Sequence, residues 1–493
     1  MPESKSAIII GSGFAGLSAA ASLAKEGWKV TVIEKNEQLG GRAAVWERDG
    51  FTFDMGPSWY WMPEIFNQFY KKNSHKTEDF YELKRLDPSY RVFFGEDDSV
   101  DVPASLSELH TLFEKLQPGS SIGLKKFLEE AQLKYKVAMD KFVWLPGLNW
   151  TELLQWELLK YVPQLHMFGS ITEYVAKFIT EPRLRQILEF PVLFLGAKPS
   201  DTPALYSMMN YADLVLGTWY PMGGMNKIPK AFAQICTENG VEFLLNTEAE
   251  EIVVNESGKA IGVRIKGKLL PADVVISSAD YHHTETHLLK PKLRQYSQNY
   301  WDSRKMAPSS LLYYVGVNKK LSGLLHHNLF FDTDFELHSN EIYTQPTWPT
   351  SPLFYASCPS VTDESVAPKG CENLFILIPT APGLQENEAI AEEYFEKVIT
   401  RMEKLTEQSI KEHILFKRSF GCSDFEQRYN SFKGNAYGLA NTLMQTANLK
   451  PSIKSKKVSN LWFCGQLTLP GPGVPPAIIS GQMVAREILK GER

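Results

Sequence analysis

The sequence predicts an α/β fold, a doubly wound parallel sheet interrupted by an α+β insertion that carries a helical subdomain. Three observations predict it. Residues 7–42 read as strand, glycine-rich turn, helix, strand and second glycine turn. Residues 241–277 return to the same texture, and residues 460–490 close on a strand, a Gly/Pro loop and a helix. At 493 residues the chain exceeds what one hydrophobic core usually covers, so two domains are expected. One domain is placed discontinuously at 1–75, 217–300 and 450–493. The other takes 76–216 and 301–449, with 121–200 as the helical subdomain.

The first strand is the apolar run Ala7-Ile8-Ile9-Ile10, stopped by Gly11. Then follow Gly11-Ser12-Gly13-Phe14-Ala15-Gly16 and a helical stretch to Gly27. Three glycines at this spacing are weak alone, but here they follow a strand and open a helix. They also precede Glu34, at the end of the next strand, Val30-Thr31-Val32-Ile33. Each part has a physical role. Gly11 allows the tight turn, Gly13 lets the backbone approach a pyrophosphate, and Gly16 lets helix and strand pack closely. The helix start at Phe14-Ala15 offers free N–H groups and a positive dipole end to phosphate. Glu34, with Lys35 beside it, is placed to accept from a ribose. This is a Rossmann-type dinucleotide site.

Gly50 to Tyr60 reads as a strand running into the turn Gly56-Pro57-Ser58, which is included in the candidate site. Apolar residues at Leu124, Phe127, Leu128, Ala131, Tyr135, Ala138 and Phe142 mark one face of a helix over 121–143. From Trp144 to Phe194 the chain is rich in aromatics and leucines, and Pro146, Pro163, Pro182 and Pro191 break it into short helices. A loop at Pro221-Met222-Gly223-Gly224-Met225 leads into a helix from Lys227 to Asn239, then strands near 241–245, 249–255, 260–265 and 272–277. Residues 310–317 and 374–378 read as strands of another sheet, and 385–407 as helical.

Net charge is -5, so nothing global suggests nucleic acid, and the Lys454, Lys456, Lys457 cluster reads as a solvated turn. Five scattered cysteines, never spaced as CxxC, argue for reduced thiols in a cytosolic setting. No secretory signal precedes the first strand, and no apolar stretch approaches spanning length. The expected localisation is cytoplasmic with peripheral membrane association.

Gly40-Gly41-Arg42, a second glycine pair plus arginine after the acidic residue, resembles the amine-oxidase and glutathione-reductase-like flavoproteins and implies FAD rather than NAD. The resemblance puts Gly40, Gly41 and Arg42 along the pyrophosphate and flavin, and the Ala249 backbone against the adenine. Gly465 and Gln466 meet the ribityl-phosphate part, and the last helix, entered through Gly473-Val474-Pro475, points its positive end at the flavin. Within that superfamily the chain resembles bacterial carotenoid desaturases of the phytoene desaturase type over essentially its whole length. The carrying segments are Phe51 to Ser58, Pro221 to Met225, Ser277 to Asp280, His326 to Phe331, Lys433 to Leu439 and the loop Pro470 to Pro475. Many relatives place histidine just before that loop, where this chain has Leu469, so proton chemistry assigned to that histidine does not carry over.

The implied function is introduction of C=C bonds into an acyclic or partly cyclised C40 polyene, with hydride transfer to flavin N5 and a proton leaving the neighbouring carbon. The protein's share is alignment and water exclusion. No catalytic residue is named. Asp54, Asp213 and Asp424 read as caps or structural partners. His283 and His287 have no third ligand in reach, so no metal is expected, and His326-His327 is read as a turn or surface pair. The aromatic stretch reads as core, as a substrate lining, or as a membrane patch near 144–165. A quinone and O2 both fit as the electron acceptor. Alternatives are a hydroxycarotenoid 3,4-desaturase, a carotene isomerase, a retinol-saturase-like enzyme and, in another class, a flavin-free isoprenoid-escort protein of the GDP-dissociation-inhibitor kind. An amine oxidase is the weaker reading.

Overall fold

A computed structural model describes residues 4–149, 151, 152, 165 and 169–491. Trp150, Trp156 and most of 153–168, which carry the proposed membrane patch, lie outside the described residues.

Five parallel strands form the first sheet, in the order Leu461–Phe463, Val274–Ser277, Ser6–Ile10, Lys29–Ile33, Glu242–Leu244. Its central strand is buried from Ala7 to Ile10, as a parallel strand covered on both faces must be. This explains why the sequence shows an unbroken apolar run rather than alternation. Helix Phe14–Lys25 leaves the central strand and packs against the last helix, Val474–Lys490. Small residues make that approach possible. Ser18 Oγ donates to the Ile478 carbonyl at 3.0 Å, and a Cβ on Gly481 would stand 2.0 Å from the Ala15 carbonyl oxygen. The two ends of the sequence are therefore joined in one layer. A three-stranded meander, Glu251–Val254, Ala260–Ile265 and Lys268–Pro271, stands beside the sheet.

The second sheet has seven strands in the order Ile414–Phe420, Ser309–Val317, Glu372–Thr380, Phe354–Ser357, His327–Phe330, Tyr90–Gly95, Asp98–Val102. All neighbours are antiparallel except His327–Phe330 with Tyr90–Gly95. Ser309–Val317 is buried along its whole length. Helix Glu388–Thr406 covers one face through Tyr394, Phe395, Val398, Ile399 and Met402.

The helix expected over 121–143 is α-helical over Ser120–Val137 and continues as a single wide π turn, Ala138–Phe142. Such turns re-aim side chains, and here Ala138, Met139 and Phe142 all reach the central cavity. The expected turn or surface pair His326-His327 is corrected. Both are buried, His327 fully, on or beside the strand His327–Phe330. The His327 ring stacks on Trp59 with centroids 4.1 Å apart, and Nδ1 is 2.6 Å from the Tyr355 hydroxyl. Tertiary stacking partners from three separate segments make this an interior position. Asp54, Asp213 and Asp424 stand as read. Asp54 accepts from the Met225 and Asn226 N–H groups and fixes the start of helix Lys227–Glu238. Asp213 takes Tyr90 and Thr218, and Asp424 accepts from the Gly421 N–H.

Candidate functional site

A cavity of about 680 Å³ runs from the carboxyl ends of the first sheet to the face of the second. Of the predicted cofactor residues, Gly11, Ser12, Gly13, Phe14, Ala15, Glu34, Lys35, Gly40, Gly41, Arg42, Gly56, Pro57, Ser58, Ala249, Gly465, Gln466, Gly473, Val474 and Pro475 all border it. Gly16 does not. It sits behind the wall, where a Cβ would fall 2.1 Å from the Gly11 carbonyl oxygen, so its role is the close packing of helix on turn.

The nucleotide end is set by backbone geometry. Gly11 has φ +95°, and Gly41, at φ +56°, brings its Cα side against the Cα of Gly13. A Cβ on Gly13 would meet nothing within 4 Å, so that backbone faces open cavity. Helix Phe14–Lys25 begins there with no side-chain cap and no acidic residue in its first turn, leaving its N–H groups and dipole for a bound anion. Glu34, buried at the strand end, is held by Ser12 N–H at 3.0 Å, Ser12 Oγ at 2.7 Å, Asn36 N–H at 2.9 Å and Asn36 Nδ2 at 2.8 Å. Lys35 turns its ammonium to the Gln427 carbonyl at 2.8 Å and Asn430 Oδ1 at 2.9 Å, which ties the turn to the second sheet's side.

Arg42 crosses the middle of the cavity wall. Its guanidinium lies 5.1 Å from the Tyr429 ring centre and hydrogen-bonds Ser431, while Nε is buried without a partner. Burial lowers its pKa, and the nearby Tyr429 and Asp280 oppose this. Asp280 is itself held up by burial, although it accepts from the His283 and Phe432 N–H groups at 3.1 Å each. Opposite, the last helix starts at Gly473, φ +110°, again with no side-chain cap and no acid in its first turn. Two uncapped helix starts, a backbone cradle free of side chains and an unpaired buried Arg42 Nε together fit a dinucleotide diphosphate and an electron-accepting ring.

Beyond Ser58 the wall turns apolar: Trp59, Phe190, Leu205, Leu312, Phe331 and Tyr355 come from both sheets and the helical segment. Sequence reasoning missed these contributors except Phe190, which lies in the 144–194 stretch read as core, substrate lining or membrane patch, because no local pattern marks the others. The acidic side chains bordering the cavity among the described residues, Glu34, Glu248 and Asp280, all lie at the nucleotide end. His338 on the apolar wall is fully engaged. Nδ1 accepts from the Leu353 N–H, Nε2 donates to the Pro379 carbonyl, and burial pushes its pKa down to about 4.

The family model for "Flavin containing amine oxidoreductase" matches residues 14–489. The chain belongs to the flavin-containing amine oxidoreductases. It is an FAD-dependent oxidoreductase of that family. It is 40% identical over 483 residues to a carotenoid 3,4-desaturase of Haloarcula japonica, covering 98% of this chain and 97% of that one. It is 31% identical to a zeta-carotene-forming phytoene desaturase of Myxococcus xanthus, covering 98% and 93%. An oxidoreductase structure from Methanosarcina mazei shares the fold at a TM-score of 0.65 and 15% identity, covering 98% of this chain and 100% of that one.

Proposed function

We propose that this flavoenzyme is a carotenoid desaturase. It introduces C=C bonds into a C40 polyene drawn into the apolar arm of the cavity. The observation that carries the reading is the continuity of that cavity. One end is a backbone cradle for a dinucleotide. The other is a chamber of aromatic and aliphatic side chains with no bordering carboxylate among the described residues. An amine substrate is a cation and is held best beside an anion, which this arm lacks among the described residues, whereas a polyene asks only for apolar burial. A carotenoid desaturase relative 40% identical over nearly the full length supports the same reading. Desaturation at the 3,4 position, as that relative's name specifies, is the narrower form.

Gly11, Ser12, Gly13, Phe14 and Ala15 hold the pyrophosphate, Glu34 the adenosine ribose and Ala249 the adenine side. Arg42, Gly465, Gln466 and the turn at Gly473 flank the flavin. When bound, FAD supplies a two-electron acceptor for the hydride leaving the substrate. This chain's residues do the rest. Trp59, Tyr355 and Phe331 orient the polyene, and the apolar wall keeps water and competing charge from the reacting carbons. The division at 1–75, 217–300 and 450–493 against 76–216 and 301–449 is our domain reading, and the segment around 144–165 our membrane-facing one.

The test is expression in hosts that accumulate phytoene, later acyclic carotenes or hydroxylated carotenes. The expected result is a red-shifted polyene two hydrogens lighter for each new double bond. FAD-loaded protein that leaves every polyene unchanged would overturn the reading.

A further inference from the structure

Lys450 is 5% exposed, and its Nζ has no hydrogen-bond partner among the described residues. Asn441, 3% exposed, borders the cavity, and its Oδ1 is also buried without a partner. Both atoms face the same glycine. A Cβ on Gly471 would stand 3.4 Å from Asn441 Oδ1 and 3.4 Å from Lys450 Nζ. Gly471, at φ +135°, belongs to the loop whose Pro470, Pro472 and Gly473 line the cavity and start the last helix. A buried amine and a buried amide oxygen left unpaired are each costly, and Met and Leu would pack there at less cost.

Among the described residues, the segments around Lys450 offer no counter-ion. Residues 438–449, 451–453 and 465–476, which surround it from its own turn, the Asn441 segment and the loop, contain no charged or titratable side chain. Burial alone brings its pKa down to about 7, so it exchanges a proton near neutrality. His338, Glu34 and Asp280, which border the cavity, are already hydrogen-bonded. Both His338 nitrogens are bonded, Glu34 accepts four hydrogen bonds, and Asp280 accepts two.

We propose that Lys450, as an ammonium, serves as the counter-charge to the reduced flavin, a role that needs only the FAD and not the desaturase reading. Two-electron reduction of the flavin leaves it with a negative charge, and neutral Lys450 takes up one proton from solvent with it. A shift of the lysine stem then seats the ammonium on Asn441 Oδ1, satisfying both atoms. Lys450 returns the proton to solvent when the flavin is reoxidised.

The experiment measures the midpoint potential of bound FAD against a reference dye through the neutral pH range, without polyene, in the wild-type holoenzyme, Lys450→Met and Lys450→Gln. The wild-type potential is expected to fall with pH more steeply, by one proton per two electrons, and to lie above both variants on the acid side. Equal slopes would overturn the proposal. So would loss of FAD from both variants, which would make Lys450 a structural cation. A lysine-dependent slope in an enzyme that desaturates nothing would uphold the counter-charge and count against the desaturase reading alone.

Discussion

At Glu34 the carboxylate accepts four hydrogen bonds that shape the corner where we propose the ribose binds. Glu34→Ala leaves those donors buried and unpaired, at about 1–3 kcal/mol. FAD titration by flavin fluorescence is expected to show roughly ten- to hundredfold weaker binding; undiminished affinity would remove Glu34 from the site. His326 supports a pH prediction. Burial pushes its pKa down to about 3, well below the usual imidazole range. The folded state therefore holds it neutral while the unfolded chain takes up the proton. Its contribution is complete above about pH 6.5 and is lost as pH falls from there toward 3. Asp54, held up at about 6 by burial, works in the opposite sense, so parent and variant are compared. Thermal unfolding of His326→Gln is expected to lose less stability than the parent between neutral and mildly acid pH. Parallel curves would contradict a neutral buried His326. Residues such as Gly11 and Gly13 were legible because their demand is local, a backbone conformation or close approach that glycine alone meets. His326 and His327 were misread as a turn because their neighbours Trp59, Tyr220 and Tyr355 arrive from elsewhere in the chain.

Among elements, the decisive contact is the first helix on the last. Gly481 abuts the Ala15 carbonyl, and any side chain there must push the helices apart. Both helix starts face the cavity, so the shift reaches the cofactor. Gly481→Val is expected to cost about 1–3 kcal/mol or more by overpacking and to yield a protein depleted of FAD, read from the ratio of flavin to protein absorbance. Full flavin loading would contradict the coupling of the two helices to the cradle. The strands around Ile8, Val275 and Leu461 were legible from apolar runs bounded by glycine or polar turns. The pairing of His327–Phe330 with Tyr90–Gly95 was not, because parallel pairing across more than two hundred residues leaves no local trace. The π turn at Ala138–Phe142 likewise departs from a pattern that reads as plain helix.

Across the whole molecule, the cavity joins side chains from Ile10 to Ile479. Its cofactor end was readable because fingerprint residues cluster at both ends of the sequence. Its apolar arm was readable only as an excess of aromatics, since the same residues at the same spacing would serve a closed core. No helix among the described residues is long and apolar enough to cross a membrane. Our membrane-facing reading of 144–165 predicts that charge at Trp150 and Trp156 reduces flotation with liposomes while FAD is retained; unchanged flotation would contradict it. The central claim is that one cavity brings a polyene to the bound FAD. It is tested most directly by mixing the oxidised holoenzyme anaerobically with polyene-loaded liposomes and recording the spectrum through a single turnover. The prediction is loss of the flavin's visible absorption in step with a red shift of the polyene bands. A flavin that stays oxidised against every polyene, yet bleaches with a primary amine, would contradict it.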